Sequence, residues 1–105
     1  MGLEIYWTSF ATHELKSIFD YHKEKASLKV ARKIVNGIFE ETTKLEDQPE
    51  IGPEEPLLKD RKLNFRYLVH KNYKIIYRID LSRNRIEIID VFDTRQNPVK
   101  MKRKK

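Results

Sequence analysis

Residues 65–80 have the sequence FRYLVHKNYKIIYRID, and this stretch decides the fold. Apolar and polar residues alternate on either side of Lys71-Asn72, which is the period of half-buried β-strands. Asn tolerates the backbone angles of a tight turn, so we expect a hairpin at Lys71-Asn72. The alternation assigns two sets of side chains to the core: Leu63, Phe65, Tyr67 and Val69 from the first strand, and Tyr73, Ile75, Tyr77 and Ile79 from the second.

A third strand pattern follows this hairpin after a turn over residues 80–84. Ile86, Ile88 and Asp90 form one face. The other face is expected to carry Arg85, Glu87, Ile89 and Val91. Three strands joined by short turns predict an antiparallel meander.

The chain before the meander predicts one strand and two helices. Leu3, Ile5 and Trp7 alternate with polar neighbours, which indicates a strand. Residues 10–24 and 28–45 then carry apolar side chains at three- and four-residue intervals, typical of an antiparallel helical hairpin. Residues 49–62 hold three prolines and are expected to be a loop. The predicted fold is a single α+β domain over residues 1–98, in β-α-α-β-β-β order, with the helices on one side of the sheet.

Positive charge is concentrated in the last 45 residues. Residues 1–60 hold 8 Lys and Arg against 12 Asp and Glu, whereas residues 61–105 hold 14 against 4. The balances of −4 and +10 sum to the net charge of +6. A positive surface attracts nucleic acid or an acidic protein partner. Residues 99–105 form a predicted basic C-terminal tail, which either binds phosphates or is disordered.

Positive side chains also recur on the strands. The alternation places Arg66, His70, Lys74 and Arg78 opposite the core, and Arg95 follows the last strand. Clustered cations repel one another unless an anion lies nearby. We therefore predict that Arg66, Lys74, Arg78 and Arg95 form a surface that binds a target or nucleic acid. The alternative is that three acidic residues neutralise the cluster in ordinary ion pairs: Glu87, Asp90 and Asp93.

The order and spacing of several blocks resemble the RelE/ParE superfamily of toxins from type II toxin–antitoxin operons. The resemblance runs from Ile5 to Pro98 and is carried by WTS at 7–9, LEDQPEIG at 45–52, FRYLV at 65–69, YKIIYRI at 73–79 and VFDTRQNP at 91–98. It implies a toxin that a cognate antitoxin holds inactive. It also implies a monomer or dimer alone and a hetero-oligomer with the antitoxin.

Members of this superfamily are ribosome-dependent mRNA endonucleases or inhibitors of DNA gyrase. If the chain is a nuclease, the resemblance implies catalytic roles for Lys74 and Arg95, with Arg66 as a third cation. His70 is then the nearest substitute acid or base. The segment after Phe92 lacks the Tyr or His that such nucleases often carry, which favours the ParE-like branch and gyrase. An endoribonuclease and a non-catalytic RNA-binding module remain as alternatives.

Composition argues against several other classes. The chain has no cysteine, which removes disulfides and thiol chemistry and favours a cytoplasmic location. No stretch approaches the roughly 20 apolar residues that span a bilayer, and residues 1–10 lack the features of a signal peptide. His13, His22 and His70 are far apart in sequence, and no phosphate-binding glycine loop is present. We therefore expect no metal, cofactor or membrane contact.

Overall fold

The computed structural model describes residues 2–55 and 64–95. Its elements run in the order β1 (Glu4–Trp7), α1 (Ser9–Lys25), α2 (Leu28–Thr43), β2 (Phe65–His70), β3 (Tyr73–Asp80) and β4 (Arg85–Asp93). Short 3-10 turns follow α2 and β3. The predicted α+β order is confirmed. The tail at 99–105 and the domain boundary at residue 98 lie outside the described residues.

Each helix begins at a hydroxyl that caps its first turn. Thr8 Oγ1 accepts a hydrogen bond from the Ala11 amide, and Ser27 Oγ accepts one from the Val30 amide. Each helix buries one stripe of side chains: Ala11, Leu15 and Ile18 on α1, and Ala31, Ile34, Ile38 and Thr42 on α2. Within the described residues, no helix combines the length and the apolar character that a membrane crossing requires.

The four strands form one sheet in the order β1-β4-β3-β2. The pairs β2–β3 and β3–β4 are antiparallel, as predicted. β1 pairs in parallel with β4, so that Ile5 lies opposite Ile86 and Trp7 opposite Ile88. The helices cover one side of this sheet and build the main hydrophobic core with it. We call the other side the open face.

The two faces of β2 are the reverse of the prediction. Leu68 belongs to the core beneath the helices, whereas Phe65 and Tyr67 pack with Ile76 and Phe92 in a second cluster on the open face. β2 carries apolar residues at both odd and even positions. The alternation of apolar and polar residues therefore could not show which side of this strand faces the helices. The prediction of Phe65 and Tyr67 as core residues beneath the helices is wrong for this reason.

A β-bulge in β4 changes which side chains share a face. Tyr77 pairs with Ile88 but Ile76 pairs with Asp90, which leaves Ile89 as an extra residue. Asp90 therefore lies on the open face with Ile76, and Val91 enters the main core. The prediction that Asp90 shares the face of Ile88 fails at this point.

Residues 49–55 of the predicted loop are attached to the edge of the sheet, and the rest of that loop, 56–62, lies outside the described residues. The Glu55 amide donates to the Phe65 carbonyl at 2.8 Å, and the Tyr67 amide donates to the Pro53 carbonyl at 3.1 Å. A Cβ at Gly52 would lie 2.2 Å from the Tyr67 carbonyl oxygen, so only glycine fits there. This attachment places Glu55 beside the open face, where it meets a predicted site residue.

Candidate functional site

The predicted site residues do not form one surface. Lys74 and Arg78 lie on the open face of β3. Arg66 and His70 lie on the helix side of β2, because they alternate with the reversed open-face residues of that strand. Arg95 follows the end of β4. The predicted convergence is therefore wrong, and the functional role of each residue stays a prediction.

Lys74 is bound to a buried carboxylate. Its Nζ lies 2.8 Å from Glu55 Oε1, and the side chain of Glu55 is fully buried. The same ammonium group lies 4.2 Å from the centroid of the Tyr67 ring, within the range of a cation–π contact. Lys74 therefore holds Glu55 against the open face.

Arg78 belongs to a network of charged side chains. Its Nε donates to Glu87 Oε1 at 3.0 Å, and its Nη2 donates to Asp80 Oδ2 at 3.1 Å. Glu87 also accepts a hydrogen bond from Arg85. A hydrogen bond from Ser82, followed by other contacts, holds the pKa of Asp80 below its ordinary value. Two carboxylates thus offset the guanidinium charge of Arg78.

Arg66 and Arg95 also bind within the chain. Arg66 Nη1 donates to the Gly52 carbonyl at 2.7 Å, which ties Gly52 to the sheet. Arg95 binds Asp93 through two nitrogens, with Nη2 at 2.7 Å and Nε at 3.0 Å from its carboxylate oxygens. Of the carboxylates expected to neutralise the cluster, Glu87 and Asp93 do so in this structure.

The Asp93–Arg95 pair predicts an acid-dependent part of stability. Hydrogen bonds from the Arg95 side chain are the largest cause that holds the pKa of Asp93 far below its ordinary value. A lowered folded pKa stabilises the fold above the unfolded pKa of about 3.9, and this contribution is lost as pH falls further. We expect the difference in unfolding free energy between the native chain and Asp93→Asn to shrink below about pH 4. Urea titrations from pH 7 to pH 2 would measure it, and a constant difference would contradict the prediction.

A different cluster of cations lines a groove between α2 and the β2–β3 turn. The groove encloses about 840 Å³ and is lined by Leu28, Lys29, Arg32, Lys33, Asn36, Gly37, Glu40, His70 and Lys71. We call it the α2 groove. In the described part of the chain, Lys29, Arg32, Lys33 and Lys71 form no ion pair. The spacing of the three α2 cations was visible in the sequence, but their closeness to Lys71 depends on the fold.

His70 forms part of the groove wall and packs against α2. A Cβ on Gly37 would lie 2.2 Å from His70 Nε2, so the imidazole occupies the space that a larger residue would need. No described residue accepts or donates a hydrogen bond at this buried Nε2 atom. His70 is therefore on the opposite side of the sheet from Lys74 and does not complete an acid–base pair with it.

The contact between Gly37 and His70 gives a test by double-mutant cycle. Ala in a helix interior is about 1 kcal/mol more favourable than Gly, but the added methyl group meets the imidazole ring. We expect Gly37→Ala to lower the unfolding free energy by about 1 kcal/mol in the native chain. In a His70→Ala background the same change is expected to raise it by roughly 0.5–1 kcal/mol. Equal effects in both backgrounds, measured by urea unfolding, would contradict this account.

His22 forms a hydrogen bond that sequence reasoning missed. Its Nε2 lies 2.7 Å from the hydroxyl of Tyr73, and burial raises the pKa of that hydroxyl. The pair lies near a cavity of about 310 Å³ whose lining includes Glu14 and Asp93. Two carboxylates make this cavity unfavourable for a phosphate group. Among the described side chains, no group of three His, Asp or Glu is placed to hold a metal ion.

Comparisons with known proteins agree with this architecture. The family model of the ParE toxin of type II toxin–antitoxin systems, parDE, matches residues 5–98. A search of curated proteins gave no match. A chain of the chromosomal ParDE system from P. aeruginosa superposes with a TM-score of 0.71 and 20% identity, covering 87% of this chain and 95% of that chain.

Two RelE-type structures share the fold at lower similarity. A chain of the RelBE2 toxin–antitoxin complex from Mycobacterium tuberculosis gives a TM-score of 0.56 at 19% identity, covering 89% of this chain and 99% of that one. A mutant of the E. coli toxin RelE in the free state gives 0.59 at 12% identity, covering 96% and 93%. At these identities the solved structures show a common fold, whereas the family match covers most of the sequence.

Proposed function

Because the chain belongs to the ParE toxin family of type II toxin–antitoxin systems, we propose that it inhibits growth by binding DNA gyrase rather than by cleaving mRNA. The toxin class follows from the family, and the choice of target is the proposal. We further propose that the chain acts in the cytoplasm, where gyrase and the ribosome are found.

One observation carries the choice of gyrase: the cations that would serve RNA cleavage are paired with carboxylates of the same chain. Cleavage requires positive groups that stabilise charge on the reacting phosphate, and an acid and a base that move protons. Lys74 is paired with Glu55, Arg78 with Asp80 and Glu87, and Arg95 with Asp93. These pairs lower the positive potential that a phosphate would meet. They support a toxin that acts by binding.

The partner that restrains the toxin is expected to be a cognate antitoxin. Solved relatives include a ParDE system and toxin–antitoxin complexes of the RelBE type. An amphipathic segment with acidic residues would suit both the apolar and the basic surfaces of this chain. Formation of a stoichiometric complex with such a protein, encoded beside the toxin, is the expected result of co-expression.

The target is tested with purified components. We expect the chain to inhibit supercoiling by gyrase at a stoichiometric ratio and to leave relaxation of the same plasmid by topoisomerase I unchanged. We also expect mRNA on programmed ribosomes to stay whole. Ribosome-dependent mRNA breaks that disappear in Arg95→Ala would overturn the proposal in favour of the endoribonuclease. Binding of RNA without gyrase inhibition or cleavage would overturn it in favour of an RNA-binding module.

A further inference from the structure

The α2 groove places positive side chains near the N-terminal end of α2, where the helix itself has a partial positive charge. Lys29, Arg32 and Lys33 lie in the first two turns of α2, and the first turn contains no acidic residue. The N-terminal end of a helix has a partial positive charge from its peptide dipoles, so added cations there are unfavourable. Unlike the open-face cations, these three have no carboxylate partner in the described part of the chain.

The opposite wall of the groove adds a fourth cation at a backbone position that disfavours it. Lys71 has a φ angle of 56°, in the left-handed region that Gly and Asn adopt more easily. A lysine at this position costs some stability, yet it extends the positive charge across the groove from α2. Glu40 is the one acidic side chain that the described residues contribute to the lining. When only Lys, Arg and Glu are counted, these lining residues carry four positive charges and one negative charge.

The chemistry of the lining discriminates between classes of anionic partner. Among the described residues, Leu28 is the one large apolar residue of the lining, and the other apolar surface of the groove comes from the aliphatic parts of polar side chains. Lysine is depleted from protein–protein interfaces. No Phe, Tyr or Trp of the described residues lines the groove, so these residues offer no stacking platform for single-stranded nucleic acid. Lys and Arg side chains without a carboxylate partner suit the phosphates of a duplex, and their aliphatic stems supply the apolar surface of the groove.

We propose that the α2 groove binds the sugar–phosphate backbone of double-stranded DNA, without sequence preference, through Lys29, Arg32, Lys33 and Lys71. This contact goes beyond the choice of target and does not require gyrase. In a cell it would bring the toxin to DNA, where enzymes that act on DNA are also bound. The experiment below contains no gyrase, so its outcome is separate from that of the supercoiling assay.

The test is salt-dependent binding to a fluorescent 20-base-pair duplex of mixed sequence, measured by anisotropy with the full-length chain. Each phosphate contact contributes a slope of about −0.9 to the plot of log affinity against log salt concentration. Arg32→Ala/Lys33→Ala removes two contacts and is expected to reduce the magnitude of the slope by about 1.8. The matched control, Lys16→Ala/Lys44→Ala, makes the same change in net charge outside the groove. Every variant keeps the basic residues at 100–105, so any contribution of these residues to the slope is the same in all variants.

The expected result is duplex binding with a reduced slope in the groove variant and a slope near that of the native chain in the control. Three results would overturn the proposal. The duplex fails to bind at 50 mM salt; both double variants change the slope equally; or a single strand of the same length binds more tightly than the duplex. Binding of a fluorescent poly-glutamate peptide would be a further test. If peptide binding depended on Arg32 and Lys33 while duplex binding did not, the groove would be assigned to an acidic protein instead.

Discussion

Lys74→Ala is expected to lower the free energy of unfolding by about 3–5 kcal/mol, because it removes the cation that lies 2.8 Å from a fully buried carboxylate. The substitution removes a positive charge that offsets the desolvation of the Glu55 carboxylate. The Lys74 side chain is about one-fifth exposed, so solvent screening makes the lower end of this range the expected value. Urea unfolding at pH 7 would measure the change.

Removing both charges should cost much less than removing one. A well-packed apolar pair in place of a buried ion pair is often neutral, so Lys74→Met/Glu55→Leu is expected to be more stable than Lys74→Ala alone. Lys16→Ala is the matched control, since its pair with Asp20 is exposed and should contribute less than about 0.5 kcal/mol. A loss below about 1 kcal/mol in Lys74→Ala would contradict the structural role of Lys74.

This result affects how activity data on Lys74 are interpreted. A loss of toxicity in Lys74→Ala would follow from unfolding as readily as from lost chemistry. The double variant separates the two causes, because it removes the ammonium group and restores the fold. Toxicity that returns in the double variant would exclude a catalytic role for Lys74.

Tyr77→Phe is the second substitution with a large expected effect, a loss of about 2–4 kcal/mol. The Tyr77 hydroxyl donates to the Pro49 carbonyl at 2.8 Å and accepts from the Gly52 amide at 3.1 Å. Tyr77 itself is fully buried, so water cannot replace the lost oxygen without rearrangement. Each buried polar group left without a partner costs about 1–3 kcal/mol.

The effect of Tyr77→Phe should be strongest in the segment that the hydroxyl holds. Hydrogen exchange at the amides of Gly52, Glu55 and Tyr67 is expected to accelerate more than exchange in α1. Tyr21→Phe is a suitable control, because the Tyr21 side chain is exposed and should change stability by less than about 0.5 kcal/mol. Unchanged exchange at Gly52 would show that the hydroxyl does not hold this segment.

The order of the elements was predictable because it depends on local patterns. The helices have clear three- and four-residue periods with Thr8 and Ser27 available as caps, and the hairpin at Lys71-Asn72 has its turn residues in place. The faces of β2 were not predictable in the same way. Both the odd-numbered and the even-numbered positions of β2 carry apolar residues. In β4, the extra residue Ile89 changes the alternation, and no local sequence signal marks this change.

The candidate site was predictable in residue type but not in arrangement. Sequence reasoning identified Lys74 and Arg78 on the open face, but it could not pair Lys74 with Glu55, which comes from a segment without periodicity. The α2 groove was missed because its two walls are about 40 residues apart in the chain. Its charges become neighbours only when β2 packs beside α2.

The parallel pairing of β1 with β4 has a consequence for how the toxin emerges from the ribosome. Of the described strands, β1 is made first and its partner β4 is made last. The bond from Thr8 Oγ1 to the Ile88 carbonyl joins residues 80 positions apart. A nascent chain therefore cannot close its sheet until synthesis has passed β4 and that strand has left the exit tunnel. At about 5–20 residues per second, several seconds separate the two strands. Truncated translation products that end before β4 would lack a complete fold, so cells that abort synthesis early release no finished toxin.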